Sequence, residues 1–147
     1  MIFPSSASGS PDMELTLKTD FAEIPPASDA VERFLAGQGA SQEILYLARL
    51  VIEELVTNTI KYGYDDHAPH EIRIGARIVN RTLVLEVSDD GHPFNPLDIP
   101  EPDTHLPAHE RPIGGLGLHL VRRMTDSLRY ERRDGRNIVT VRKSPAF

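Results

Sequence analysis

The chain contains no cysteine, which removes disulfides and thiol chemistry and fits a reducing compartment. It also lacks any apolar run long enough to cross a bilayer. Its start, Met1, Ile2 and Phe3 followed by Pro4 and a string of Ser and Gly, has neither the basic flank nor the apolar centre of a secretion signal. These absences lead us to expect a cytoplasmic location, away from membranes. Positive charge is short as well: 16 Lys and Arg stand against 22 Asp and Glu, for a formal charge of -6. A non-specific nucleic-acid binder gains from counterion release through a positive surface, so direct nucleic-acid binding is not expected. The C-terminal third is locally basic (Arg122, Arg123, Arg129, Arg132, Arg133, Arg136, Arg142 and Lys143). That cluster reads either as a solvated face or as attraction for phosphate or an acidic partner. No internal repeat is present.

What remains is enough for one core and too little for two domains: 147 residues, 39% hydrophobic, in periodic runs. Residues 1–12 read as a loose tail, and 13–147 as a single domain. Residues 14–19 alternate as a half-buried strand. Pro25 and Pro26 open a helix that buries Ala27, Ala30, Val31, Phe34 and Leu35 and ends at Gly37 and Gly39. Ser41 caps a longer helix to about Tyr62, whose wide apolar stripe places it against a sheet. Ile72 to Ile78 and Leu83 to Val87 alternate as two strands joined at Asn80 and Arg81. Residues 92–113 carry six prolines, and a loop this long in so small a domain is usually functional. Gly114, Gly115 and Gly117 lead into a third helix, and a terminal hairpin turns at Asp134 and Gly135. The order β-α-α-β-β-loop-α-β-β predicts a two-layer α/β (α+β) sandwich: a mixed, largely antiparallel sheet with helices on one face.

Three constellations can carry chemistry. Glu54 and Asn58 lie four apart, on one face of the long helix; alone, the pair reads equally as two solvated residues. Asp89 ends a strand two residues before Gly91, where a carboxylate can accept an amine hydrogen bond and glycine allows close approach of a planar ligand. Singly, that is also an ordinary turn. Gly114 to Leu118 precede a helix, so their N–H groups and the helix terminus could cradle phosphate, or the glycines could form a hinge. Neither the Walker pattern nor the dinucleotide fingerprint fits this segment. The six histidines show no metal-ligand spacing.

As an ordered set these motifs resemble the GHKL (histidine-kinase-like) ATPase superfamily, whose Bergerat fold is shared by histidine-kinase catalytic domains, gyrase B and MutL. Within it the chain is most similar to the anti-sigma-factor serine/threonine kinases of the RsbW and SpoIIAB type, over roughly residues 14–143. Residues 54–64 resemble the N box, Asp89-Asp90-Gly91 the first glycine box, and Gly115-Leu116-Gly117-Leu118 the second. The resemblance implies ATP and Mg2+ as cofactors and residues 92–113 as an ATP lid. It makes Asn58 the side-chain Mg2+ ligand and Glu54 the residue that positions or activates the attacking hydroxyl. Asp89 would read the adenine amino group and Gly91 shape the base pocket. Gly115, Gly117 and Leu118 would wrap the phosphates, with Lys61 near them, and Thr140 on the last strand would supply a hydroxyl near adenine. The implied activity is transfer of the γ-phosphate to Ser or Thr of a small STAS-type anti-sigma factor antagonist, with a sigma factor as second partner and a homodimer as a possible assembly.

The chain departs from that pattern in places. Tyr62 stands where histidine is common, and reads as a packing substitution. His92-Pro93-Phe94 replaces smaller residues, with Phe94 as an anchor for the lid, and Arg111 stands among Glu101, Asp103 and Glu110. Two alternatives follow: a catalytically silent ATP-binding module that sequesters a regulator, and a catalytic domain serving a histidine kinase in trans.

Overall fold

The computed structural model describes residues 13–98 and 116–147. The expected tail, most of the expected lid and Gly115 lie outside the described residues. Strand β1 (Met13–Lys18) is followed by a 3-10 turn at Phe21–Glu23, in which the Asp20 carboxylate accepts from the Ala22 N–H at 2.9 Å. Helix α1 (Ile24–Gly37) carries Pro25 and Pro26 in its first turn, where no N–H is missed. Helix α2 (Gln42–Tyr62) begins at Ser41, whose hydroxyl accepts from the Ile44 N–H at 3.3 Å. Arg49 of α2 reaches Asp29, at 2.7 Å, and Glu32 of α1, tying the two helices at the surface.

Strands β2 (Glu71–Val79) and β3 (Thr82–Asp89) form a hairpin. Its two central residues, Asn80 (φ 50) and Arg81 (φ 64), both adopt the left-handed conformation that matches strand twist in a two-residue turn. A second hairpin joins β4 (Ser127–Arg133) to β5 (Arg136–Lys143) through Asp134 (φ 53) and Gly135 (φ 75). Helix α3 (Leu116–Met124) precedes it. The strand order is β1-β2-β3-β5-β4, and every neighbouring pair is antiparallel. The expected mixed sheet is thus corrected: with hairpins supplying two of the four pairings, no parallel crossover is needed.

All three helices pack on one face of the sheet. Alternation decides which side chains meet them: Leu83, Leu85 and Val87 of β3 and Val139 and Val141 of β5 join Val31, Leu35, Leu47, Ile52, Val56, Leu118 and Val121 in one core. The even-numbered residues of β3 and β5 point to the other face. The C-terminus closes the far end of this layer. The buried Ala146 exchanges backbone hydrogen bonds with Ser41 and Arg81, and the Arg81 guanidinium lies 4.9 Å from the Phe147 ring centroid.

Candidate functional site

The site grows from the C-terminal half of α2 and the end of β3. Because α2 lies against the sheet, residues one turn apart on it share a wall: Leu55, Asn58 and Thr59 face Val87, Asp89 and Val139 across a cavity that Phe94, Pro96 and Asn137 complete. The space measures about 290 Å³ but narrows so far that only about 20 Å³ admits the centre of a water molecule. That is room for one or two waters, not for a heterocyclic base. A larger occupant requires some of the lining side chains to shift.

Asn58 is 9% exposed and lines this cavity, yet its side-chain amide makes no hydrogen bond among the described residues. With no protein partner, its polar atoms open on the cavity and are not sealed from water. An unpaired amide at a cavity wall is therefore poised for a polar ligand. Glu54 stands one turn earlier, half-buried. Its carboxyl is held above its ordinary range, mainly by burial and next by the charge of Glu53, against the opposing charge of Lys61. Lys61 itself is exposed on the last turn of α2.

Asp89 is 6% exposed and well tied. Its Oδ1 accepts from the Gly91 N–H at 2.9 Å and from the Asn137 amide at 3.0 Å, while Oδ2 accepts from the Thr59 hydroxyl at 3.2 Å. A carboxylate has about four acceptor positions. Three are used, and the fourth, on Oδ2, is left for a donor in the cavity. Gly91 is required by a close crossing: a Cβ there would overlap the Gly63 carbonyl oxygen, and Asp89 Oδ1 would stand at 3.0 Å. The His92 N–H donates to that same Gly63 oxygen at 2.8 Å, so the end of α2 and the turn after β3 are bonded backbone to backbone.

The start of α3 comes in from the other side. Gly117 packs so tightly on Glu54 that a Cβ would overlap its Oε1 and Cδ and stand 2.6 Å from Cγ. Leu118, expected among the phosphate contacts, is 1% exposed with its side chain in the core, leaving only its backbone to face a ligand. Farther along α3, Arg122 donates to the carbonyls of Pro96 and Leu97 at 3.3 and 2.6 Å, holding the 3-10 turn Pro96–Asp98. Tyr62 stacks on Phe94 with ring centroids 5.9 Å apart, a packing role on an exposed surface.

The structure thus gathers Glu54, Asn58, Asp89, Gly91 and Gly117 around one end of α2. It does not gather Thr140. That residue sits opposite Glu86 and Arg129, on the sheet face away from the helices, so the expected hydroxyl near adenine is corrected. The two-residue period of β5 sends 137, 139 and 141 toward the site and 140 away. Two residues that motif reading passed over take part instead, Thr59 and Asn137. Each had a signal: a polar side chain at an inward position of an otherwise apolar stripe. Among the described residues no group of three His, Asp or Glu is placed to hold a metal ion, and no helix is long and apolar enough to cross a membrane.

Comparison with known proteins agrees with this fold. The serine/threonine-protein kinase BtrW of Bordetella bronchiseptica is 26% identical over 134 residues, spanning 86% of this chain and 94% of its own. The serine-protein kinase RsbW of Listeria monocytogenes is 28% identical over 105 residues, 69% of this chain and 67% of its own. The anti-sigma F factor of Shouchella clausii is 25% identical over 99 residues, 67% and 68% of the two chains. A crystal structure of the RsbU and RsbW domains of a Mycobacterium tuberculosis protein shares the fold, with a TM-score of 0.64 at 17% identity over 90% of this chain and 31% of that one. The family model for the histidine kinase-like ATPase domain matches residues 17–143, nearly the whole of the described fold, and the chain belongs to that family.

Proposed function

We propose that the chain is an ATP-dependent serine/threonine protein kinase and anti-sigma regulatory factor, which phosphorylates a small STAS-type antagonist and binds a sigma factor. The observation that carries this reading is the pairing on α2 of a buried, unpartnered Asn58 with a half-buried Glu54, both beside the glycine-started α3.

The residues present fit Mg2+ and ATP. Asn58 offers one neutral side-chain oxygen, and Mg2+ commonly takes one or two protein ligands with phosphates and waters completing its shell. When bound, the metal neutralises charge on the phosphates. The remaining work falls to the chain. Asp89 Oδ2 has its open acceptor position for the adenine amino group, between apolar walls of Leu55, Val87 and Val139. The backbone N–H groups at the start of α3 would face phosphate, and the absent Cβ at Gly117 lets Glu54 pack against that start. In the transfer, the substrate hydroxyl oxygen bonds to the γ-phosphorus, the bond to the bridging oxygen of ADP breaks, and Glu54 takes the hydroxyl proton. A carboxylate whose proton affinity is raised by burial suits that task better than an exposed one.

The reading is supported by relatives named as serine kinases and as an anti-sigma factor. The test pairs calorimetry with a transfer assay, using Mg-ATP and a STAS-type antagonist. ATP should bind at micromolar affinity, about 8 kcal/mol, and phosphate should appear on a hydroxyl of the antagonist. Glu54→Ala should abolish transfer and keep binding. Binding without transfer in the unaltered chain would make it a silent regulatory module, and acid-labile phosphate on histidine would make it a partner of a histidine kinase.

A further inference from the structure

We infer that Asn137 is a positioning residue for base recognition, holding the Asp89 carboxylate and the turn after β3 as one unit so that the sheet wall of the cavity presents a single acceptor to its occupant. This inference rests on the nucleotide-site reading above.

Asn137 opens the inward row of β5, directly opposite Asp89 in the ladder, and is 4% exposed. Its Nδ2 donates to Asp89 Oδ1 at 3.0 Å and to the His92 carbonyl at 2.7 Å. Its Oδ1 accepts from the Tyr130 hydroxyl at 2.6 Å, from Arg132 Nη1 at 3.1 Å and from the Phe94 N–H at 3.2 Å. Both acceptors lie on one side of the amide and all three donors on the other, so only one orientation of the group satisfies them. Five partners exhaust an amide. Although Asn137 lines the cavity, it has no bond left for a ligand, and it acts through what it holds.

What it holds decides which base edge is read. With Oδ1 occupied by Gly91 and Asn137, Asp89 can turn only Oδ2 to the cavity, and Thr59 already takes one position there. The other cavity-lining side chains on the sheet side, Val87 and Val139, offer no donor. An exocyclic amino group is complementary to that lone acceptor, and a ring carbonyl in its place meets a carboxylate with nothing to donate. Asn137 also carries His92 and Phe94, and Arg132 Nη1 bridges the Asn137 carbonyl to that of Gly91 at 2.8 Å. A base seated on Asp89 is therefore connected through one side chain to residues 91–94, the root of the segment that leads toward α3.

The test uses the full chain with Mg2+ and two nucleotides, ATP and ITP, the latter having a carbonyl where ATP has the amino group. Calorimetry should show that Asn137→Ala weakens ATP binding about tenfold while ITP changes less than about twofold, so the preference for ATP collapses. Tyr130→Phe removes a bond to Asn137 without touching Asp89 and should keep the preference. In hydrogen exchange, ATP should slow exchange at the Phe94 amide of the unaltered chain and not of Asn137→Ala. Equal losses for both nucleotides, or an undiminished preference for ATP, would overturn the inference. If circular dichroism shows Asn137→Ala unfolded, Asn137→Ser is read instead. Its hydroxyl supplies one donor where the amide has two, and it should lower the ATP preference about threefold; equal losses would again overturn the inference. A wild-type chain that binds neither nucleotide overturns the nucleotide-site reading, and this inference with it.

Discussion

Gly117→Ala separates the chemistry of the site from its stability. A Cβ on Gly117 would overlap Oε1 and Cδ of Glu54 and stand 2.6 Å from its Cγ, and every one of these atoms belongs to a flexible side chain. The clash is relieved by swinging Glu54 to another rotamer, at about 0.5–1.5 kcal/mol. Alanine in the first turn of α3 returns up to about 1 kcal/mol through helix propensity. The melting temperature should therefore move by no more than about 3–4 °C. The carboxylate, however, must retreat by about 1 Å or more, and misplacement on that scale costs about 100-fold in rate. Single-turnover transfer from γ-labelled ATP to the antagonist, with ATP affinity measured alongside, reads the effect. In the Glu54→Ala background the same substitution should add little further loss, because the group it displaces is gone. Transfer within about threefold of the unaltered chain, or losses that simply multiply in the double variant, would refute the assignment of the base to Glu54.

Gly91→Ala should behave in the opposite way: its Cβ meets the Gly63 backbone, which cannot yield, so about 2–3 kcal/mol and about 6–10 °C of melting temperature should be lost before any effect on rate is considered. Ser41→Ala removes the acceptor at the start of α2 and should cost about 1 kcal/mol in urea unfolding, with transfer unchanged. Glu86, 8% exposed on the outer face of β3, has its carboxyl pushed up from 4.5 to about 7, chiefly by burial, with Glu131 and Glu14 adding to the rise and Arg133 and Arg142 opposing it. The folded chain holds that proton more tightly than the unfolded one, so this group's contribution to stability is greatest below about 4.5 and falls as pH rises to about 7. Glu86→Gln should flatten this slope and gain up to about 3 kcal/mol at pH 8, with little change at pH 4. Parallel pH profiles for the two chains would contradict it.

The elements were legible because each is announced locally. Ser41 sits just before an apolar stripe, Asn80-Arg81 and Asp134-Gly135 interrupt alternating runs, and Pro25-Pro26 fit only a first turn. The placements of Asn58, Asp89 and Gly91 were legible for a related reason: each lies within a few residues of a helix or strand end that the pattern already marks, and Glu54 follows from Asn58 by one helical turn. Thr140 was misplaced by one step of parity. The resemblance alone suggested that hydroxyl, but Val139 and Val141 are the inward residues, and the residue between them faces out. Asn137 announced itself locally only as a polar residue in an inward row, and its role was not legible from that. Its partners come from the end of β3, the turn after it, and two positions on β4, and no spacing within one segment encodes that convergence.

The polar groups around the cavity fall into two sets with opposite energetics. Asp89, Thr59 and Asn137 satisfy one another and stiffen the base end, as a connected network should when it is buried. Asn58 and Glu54 do neither: one is an amide open to the cavity with no protein partner, and the other is a carboxyl raised by burial, whose charged form opposes folding. A sequence chosen for stability alone would place apolar side chains at both positions, as it does at Leu55 and Val56 between them. Keeping an unpartnered amide and a raised carboxyl one helical turn apart, with Gly117 packed on Glu54, is a local departure from an apolar stripe of the kind found at ligand sites. Ligand binding should then supply the amide's partner. Saturating Mg-ATP should raise the melting temperature of the unaltered chain more than that of Asn58→Leu, although Asn58→Leu should be the more stable of the two without nucleotide. A less stable Asn58→Leu apo chain would mean that the amide serves the fold, and the division between the two sets would fail.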